Sequence, residues 1–484
     1  MMWNSSSVTR RLHPNLPLHT ISGFSSGGDM AAIHLFAFSS AVRGAAIVGG
    51  APYGCNVLPD HASTCQFPTS AEPWTSHLHR LKEYVRKRAA EGVIDPPSHL
   101  RGCRVLLFSG SADSVVYPSV MEALNQQLAA YAAARRPVFT VPSEHAWVTD
   151  DARAHGCKYL GEPFINNCAR DLSGEALRHM LHGPLRPRLP YTRGGTRGGT
   201  RGGRRRIRGG TLFRFRQAPF VPLGRGGLKA ALLAENGYVF VPDACEMREG
   251  GLRERIRQPT PQHQSHHHAG GSGAASARSV ALEGGVEGGV EGAIEGVIEG
   301  AVEGGVEGAI EGGASLLGEC QIHVHYHGCT DSHPAYYANH LGIHEWAATN
   351  GLIVLHPRAA DGRRNEGGCW DWDGATGDDF DTHNGPQLRT VLNMVEAFGR
   401  WSGGQLRRWG PTAASGEPTA ASGGPTAASG GPTAASVGPI AASQLQDLLL
   451  KDVQLEEAQW EEMEEMQTGG NESGWRDAPP HEST

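Results

Sequence analysis

Gly23-Phe24-Ser25-Ser26-Gly27 is a Gly-x-Ser-x-Gly pentapeptide. It lies between a short strand candidate, His19 to Ser22, and an apolar helix candidate, Met30 to Phe38. That context matters more than the five letters. In a strand–turn–helix elbow the serine is held at the end of the strand, and small residues on both sides let strand and helix approach. The helix N-terminus then offers N–H groups and a positive dipole end to a developing oxyanion. A plain Gly/Ser loop is the bland alternative in a chain with 66 glycines among 484 residues. Two further residues weigh against it. Asp113, in Gly110-Ser-Ala-Asp113, follows the strand candidate Arg104 to Phe108, and His145, in Ser143-Glu-His-Ala-Trp147, follows a shorter one, Phe139 to Val141. Singly, Asp113 reads as a turn or cap aspartate and His145 as a surface histidine. Together they supply an acid that fixes an imidazole and an imidazole that takes a serine proton.

The elements needed to position these groups are legible around them. Gly44 to Val48 is a small-residue buried strand, and Ser119 to Ala134 is a helix carrying Val120, Leu124, Leu128 and Tyr131. Further on, Thr211 to Phe215, Gly237 to Val241, Gln321 to Tyr326 and Leu352 to Leu355 read as strands. Ala335 to Asn350 reads as one helix. Gly385 to Trp401 is an amphipathic helix with Leu388, Val391, Leu392, Val395 and Phe398 on one face. Strands alternating with helices predict an α/β fold with a mostly parallel sheet and helices on both faces. The order Ser, Asp, His is that of the α/β-hydrolases. Such a fold has several strands before its nucleophile, whereas only about twenty residues precede Ser25 here. The missing half lies downstream, where Gln321 to Tyr326 runs into His327-Gly328-Cys329, a turn suited to supply a second oxyanion N–H. The expected fold is therefore a circularly permuted α/β-hydrolase, cut before the nucleophile strand and rejoined through residues 183–211.

Three low-complexity tracts interrupt it. One domain is expected over 18–401, ordered at about 18–182, 211–245 and 318–401. Residues 183–210 form a basic insert, with seven arginines from Arg193 to Arg208 in a Thr-Arg-Gly-Gly repeat. Residues 246–317 carry His263, His266 to His268 and a Glu/Gly repeat whose glycines disfavour helix. Residues 402–443 hold a Gly-Pro-Thr-Ala-Ala-Ser repeat. An acidic helix, 444–467, and a tail to 484 follow. The formal net charge of −7 is a sum of these opposed tracts and does not mark a partner. No run of 18 apolar residues predicts a membrane span.

Several motifs now add up to a family likeness. Gly-Phe-Ser-Ser-Gly-Gly-Asp-Met (23–30), Gly49-Gly-Ala-Pro-Tyr-Gly-Cys55, Pro163-Phe-Ile-Asn-Asn-Cys168, His327-Gly-Cys329 and Gly368-Cys-Trp-Asp-Trp372 resemble the poly(3-hydroxybutyrate) depolymerases in their single-domain, fungal-type form. The resemblance implies Ser25, Asp113 and His145 as the triad. It implies the backbone N–H groups of Ser26 and Cys329 as the oxyanion hole, and Trp370 and Trp372 beside the substrate. It also implies the disulfides Cys55–Cys65, Cys157–Cys168, Cys245–Cys320 and Cys329–Cys369, with Cys103 unpaired. Asp29 and Val148 depart from the family's usual aromatic residue and proline.

Other groupings have blander readings. His323, His325 and His327 share one strand face at a spacing that could ligate zinc, but a strand buried on both faces and the oxyanion turn account for them. The Arg/Gly tract resembles an RNA-binding segment, yet it carries no interleaved aromatic and reads as a loop expansion. No metal and no cofactor is expected, and no nucleic-acid or membrane partner. The expected function is serine-dependent hydrolysis of short-chain hydroxyalkanoate esters or polyester by a monomer. The alternatives are a small-ester or plant-wall esterase on the same scaffold, and a non-catalytic interaction protein acting through the repeats. Nine cysteines, mostly in short-range pairs, predict the secretory pathway or the extracellular space. No signal peptide is visible at Met1 to Leu18, so the expectation includes a gene model shortened at its N-terminus.

Overall fold

A computed structural model describes residues 12–13, 16–68, 74–131, 133–181, 183–191, 204–245, 320–331 and 334–402. The expectations for the Glu/Gly and His-rich tracts, the Pro/Thr/Ala/Ser repeat and the acidic helix lie outside these residues. In chain order the elements are β1 (His19–Phe24), α1 (Ser26–Ala37), β2 (Val42–Val48), the short α2 (His61–Thr64), α3 (Trp74–Ala90), β3 (Arg104–Phe108), α4 (Pro118–Ala129) and β4 (Ala134–Val138). Then come β5 (Trp147–Thr149), β6 (His155–Gly156), β7 (Ile165–Asn167), α5 (Leu172–Leu181), β8 (Arg204–Ile207), β9 (Gly210–Arg216), the short α6 (Gly227–Ala230) and β10 (Asn236–Pro242). The last are β11 (Gln321–Tyr326), α7 (Pro334–His340), α8 (Ile343–Asn350), β12 (Leu352–His356) and α9 (Pro386–Ser402).

Nine strands form one sheet in the order β4-β3-β2-β1-β11-β12-β10-β9-β8. From β4 to β12 the neighbours are parallel, and β10, β9 and β8 close the other side as an antiparallel meander. This is an α/β-hydrolase-like fold. The first strand of the chain is interior, flanked by β2 and by β11, and pairs Ile21 with Val324 and Gly23 with Tyr326.

The two sheet faces bury different sets of side chains, as the period of two along a strand requires. Val105 and Leu107 of β3, Ile322 and Val324 of β11, and Ile353 and Leu355 of β12 join α1 and α9 in one core layer. Leu106 and Phe108, with Leu352 and Val354, join α5 and α8 in the other. The α9 stripe is carried by Leu388, Val391, Leu392, Val395 and Phe398, all buried. Pro386 opens that helix, where its missing N–H costs nothing.

Four expectations need correction. The basic tract is not a break throughout, because Arg204–Ile207 is the edge strand β8, paired antiparallel with β9. Its Arg208-Gly209 turn places Gly209 at φ 79°, in the left-handed region that glycine allows. The strand before His145 is Ala134–Val138 rather than Phe139 to Val141, because Arg104 to Phe108 draws the earlier residues into register. Ala335 to Asn350 is two helices, parted where Gly342 takes φ 80°. The helix expected to run on to Ala134 stops at Ala129.

Histidine is the unusual constituent of this interior. His323 bonds Thr20 Oγ1 and Ser22 Oγ, His325 bonds the same Ser22 Oγ, His19 bonds His34, and His344 bonds His356. His323 and His325 of β11 are therefore held by hydroxyl partners. Burial lowers the pKa of His19 to about 4 and of His323 and His344 to about 3. His34, His325 and His356 shift the same way. A histidine kept neutral in the fold stabilises it fully above the unfolded pKa of about 6.5 and loses that contribution as pH falls. Burial also pushes Asp29, Asp331 and Glu345 up to about 7, which acts in the opposite sense but involves fewer groups. The thermal midpoint should therefore fall between about pH 7 and pH 4.5, and calorimetry across that range would contradict this by finding it flat or rising.

Candidate active site

Ser25 sits between β1 and α1 with φ 57° and ψ −127°, a conformation L-residues rarely take. Such strain persists where surrounding structure over-determines it. Here the Ser25 N–H donates to the Val48 carbonyl at 2.9 Å, and the Ser25 carbonyl accepts from Gly28 at 2.7 Å and from Asp29 at 3.1 Å. The glycines permit the approach. A Cβ on Gly27 would lie 2.3 Å from the carbonyl oxygens of both Tyr326 and His327, so α1 meets β11 backbone to backbone. One on Gly328 would lie 3.2 Å from the Ser25 Cβ, so the turn after β11 abuts the serine.

Asp113 and His145 are brought together from loops after β3 and β4. His145 Nδ1 donates to Asp113 Oδ2 at 2.9 Å, and both side chains are buried. Asp113 Oδ1 accepts the Val115 and Val116 N–H groups at 3.0 and 2.8 Å, fixing the carboxylate in its turn. The Glu144 carboxylate accepts from Ser114 N–H at 3.1 Å and from His145 N–H at 2.7 Å, tying the acid loop to the base loop. Sequence reasoning missed Glu144, and its only signal was adjacency to His145. Phe24 packs on the imidazole with centroids 4.6 Å apart. His145 Nε2 is buried without a hydrogen-bond partner, so it is free to accept a proton.

Ser25, Ser26, His145 and Cys329 line one cleft of about 250 Å³, with Asp29, Trp372, Phe24, Phe164 and Thr330 on its walls. Trp370 is not on it. Its ring is fully buried, edge-on to Tyr326 at 4.9 Å, while its backbone N–H donates to Ser26 Oγ at 3.2 Å. The expectation that it lies beside substrate is corrected: it packs beneath the elbow, and Trp372 alone of the pair faces the cleft.

The turn carrying Cys329 is held by its neighbours. His327 Nδ1 donates to the Gly328 carbonyl at 2.6 Å, and its Nε2 accepts the Ala359 N–H at 3.1 Å. That pattern requires the neutral ring. Burial and the Arg358 charge lower the pKa to about 3. Cys329 is bonded to Cys369, and the other disulfides are Cys55–Cys65, Cys157–Cys168 and Cys245–Cys320. Cys103 is a buried free thiol whose pKa burial raises to about 12, so it is unreactive.

The one grouping with metal-like donors among the described residues is His13, Asp95 and His383. Both imidazoles bond Asp95 Oδ1, at 2.8 and 3.1 Å, while Ser40 N–H holds Oδ2 at 2.9 Å. It clamps the segment before β1 to the loop before α9.

A strained elbow serine and a buried acid–imidazole pair thus line one cleft of an α/β-hydrolase-like fold. No family model matches the chain. It is 26% identical over 393 residues to a poly(3-hydroxybutyrate) depolymerase of Delftia acidovorans, covering 80% of this chain and 60% of that one. The chain thus spans less than two thirds of that relative's length. A polyhydroxybutyrate depolymerase of Talaromyces funiculosus is 24% identical over 399 residues, covering 78% of this chain and 88% of that one. Two solved structures match with a TM-score of 0.53 and 23% identity over 79% of this chain. They are a PHB depolymerase from Penicillium funiculosum (95% of that chain covered) and a PHB depolymerase variant complexed with an R3HB trimer (96%). The chain resembles the poly(3-hydroxybutyrate) depolymerase family in sequence and in fold.

Gly27→Ala tests the backbone contact. It should destabilise the protein by ~1–3 kcal/mol or displace the turn at 327–329 and cut turnover. Gly102→Ala, whose Cβ would meet nothing within 4 Å, is the control. Equal stability and turnover in both variants would refute the constraint.

Proposed function

We propose that this chain is a serine-dependent carboxylic-ester hydrolase acting on short-chain hydroxyalkanoate esters or polyester. The observation that carries the reading is the buried Asp113–His145 pair lining one cleft with the strained Ser25. Ser25 Oγ attacks the ester carbonyl and passes its proton to His145 Nε2, while Asp113 holds the imidazole tautomer. The Ser26 and Cys329 N–H groups stabilise the oxyanion. Collapse expels the alcohol, which leaves with the proton from His145, and the acyl group stays on Ser25. Water then attacks by the same route, releasing the acid and restoring the serine. Trp372 forms an apolar wall for the acyl chain.

The resemblance to the depolymerases and an exposed aromatic pair near the cleft favour the polyester over a small ester. Phe67 and Tyr117, 41% and 42% exposed, lie 6.4 Å apart, and Tyr117 N–H bonds the carbonyl of the cleft residue Gln66. The same reading takes the fold as a circular permutation, since β1 enters a sheet whose other half is built from later residues. It takes residues 18–401 as one catalytic domain that works as a monomer. It also takes the protein as secreted, because four disulfides suit an oxidising compartment.

An alkyl phosphonate should label Ser25, and Ser25→Ala should lower kcat on p-nitrophenyl butyrate by about 10³-fold or more. Labelling of another serine, or a variant that keeps its rate, would sink the mechanism. Mild reduction should lower kcat before the fold melts, since Cys329–Cys369 holds an oxyanion donor. Circular dichroism alongside the assay reads this, and activity that survives complete reduction of that bridge would contradict it.

A further inference from the structure

Asp29 is the feature of the cleft that ester hydrolysis does not use. It lies one turn into α1 from Ser25, and its carboxyl accepts the Ala51 N–H at 2.5 Å. It lines the cleft beside Ser25, and with Trp372 it also lines the adjoining hollow formed by Tyr53, Cys55 and Phe380. Among the described residues, no lysine or arginine lines either space. The titratable groups facing Asp29 are His145 across the cleft, Tyr53 and Asp381 in the hollow, and Asp373 beyond Trp372. Arg88, the cation of this region, is bound to Asp381 at 3.1 Å and to Tyr84 at 2.8 Å. Negative charge in the cleft is thus not neutralised by a cation on its walls.

We propose that Asp29 is a specificity determinant which turns the cleft against esters carrying a free carboxylate near the scissile bond and toward neutral esters. Such a cleft takes internal ester units of a chain, or capped esters, ahead of short free acids. It also expels the carboxylate that each hydrolysis creates. The inference rests on the reading of this cleft as an ester-hydrolase site. Burial raises the pKa of Asp29 to about 7, with Asp373 adding to the shift, so the carboxylate is held against its own desolvation.

The test compares the 3-hydroxybutyrate trimer as free acid with its methyl ester on the full chain. At pH 8.5 the wild type should prefer the methyl ester in kcat/KM by about five-fold or more. That is the size of a carboxylate–carboxylate repulsion across ~8 Å in a half-wet cleft. Asp29→Asn should shrink the ratio toward unity. In the wild type, the ratio should also shrink at pH 5.5, where Asp29 is protonated and the trimer acid is still ionised. Taking a ratio cancels the common dependence on His145, and this arm needs no variant to fold. A ratio near unity in the wild type, or one that neither Asp29→Asn nor pH moves, overturns the proposal. Failure of the wild type to cleave either trimer would instead strike the ester-hydrolase reading itself.

Discussion

The elbow helix and β11 touch through their backbones, and the candidate site depends on that contact. The carbonyls of Tyr326 and His327 occupy the space a side chain on residue 27 would need. Strand and helix can pack this closely only where both partners give up side-chain volume. Gly23, Gly27 and Gly328 each do so at the place where Ser25 turns out of the sheet. The result is geometric. The donor turn at Cys329 is set against the serine by packing distance rather than by a flexible side chain, which is what pre-organised oxyanion stabilisation requires. Trp370 and His327 support it from beneath, one by its N–H to Ser26 Oγ and the other by bonds to Gly328 and Ala359.

Much of this was legible in the sequence, and the reason is period. The bounds of β3 and β11 are legible to the residue, and those of α9 to within one, because β3 reads as an apolar run, β11 as an alternation with period two and α9 as an apolar stripe. The elbow was legible because only glycine suits its close approaches. What the sequence hid was tertiary. Ala134–Val138 contains two arginines and a proline, which argue against a strand, and only its position at the sheet edge lets them face out. α3 is hard to read because Leu78, Leu81 and Val85 are scattered among basic residues. Trp370 and Trp372 differ by two positions and read as equivalent. Only the packing shows that the first turns into the core, its ring fully buried and edge-on to Tyr326. Glu144 offers the sequence only its adjacency to His145, since its role is to bridge two loops.

Several histidines of the interior are paired with hydroxyls or with one another. Thr20 and Ser22 on β1 face His323 and His325 on β11, so the two central strands share a ladder of side-chain bonds on one sheet face. A hydroxyl both donates and accepts, so one Ser22 Oγ can serve two neutral imidazoles. Leaving any of these groups alone in the core would cost about 1–3 kcal/mol. The ladder thus specifies the register of β1 against β11, because a one-residue slip would turn every pair to the other face. That register is also the one that brings Gly27 onto the Tyr326 and His327 carbonyls, so the polar ladder and the backbone contact select the same alignment.

The pairing of β1 with β11 spans some three hundred residues of chain, and two bridges shorten what the fold must find. Cys245–Cys320 joins the end of the antiparallel meander to the start of β11 across a sequence separation of 75. Loop-closure entropy rises only by about 0.6 kcal/mol for each doubling of length, so the span between these cysteines is nearly free to vary once its base is fixed. Cys329–Cys369 fixes the other end of β11, where length is not free because the turn faces the serine. The two bridges therefore do different physical work on one strand. The first decouples β11 from whatever lies between residues 245 and 320, and the second couples it to the loop that carries Trp370 and Trp372. A chain can accumulate repeats in the first place and not in the second, and the low-complexity residues fall accordingly: the Glu/Gly tract lies inside the first span, and no repeat lies between Cys329 and Cys369.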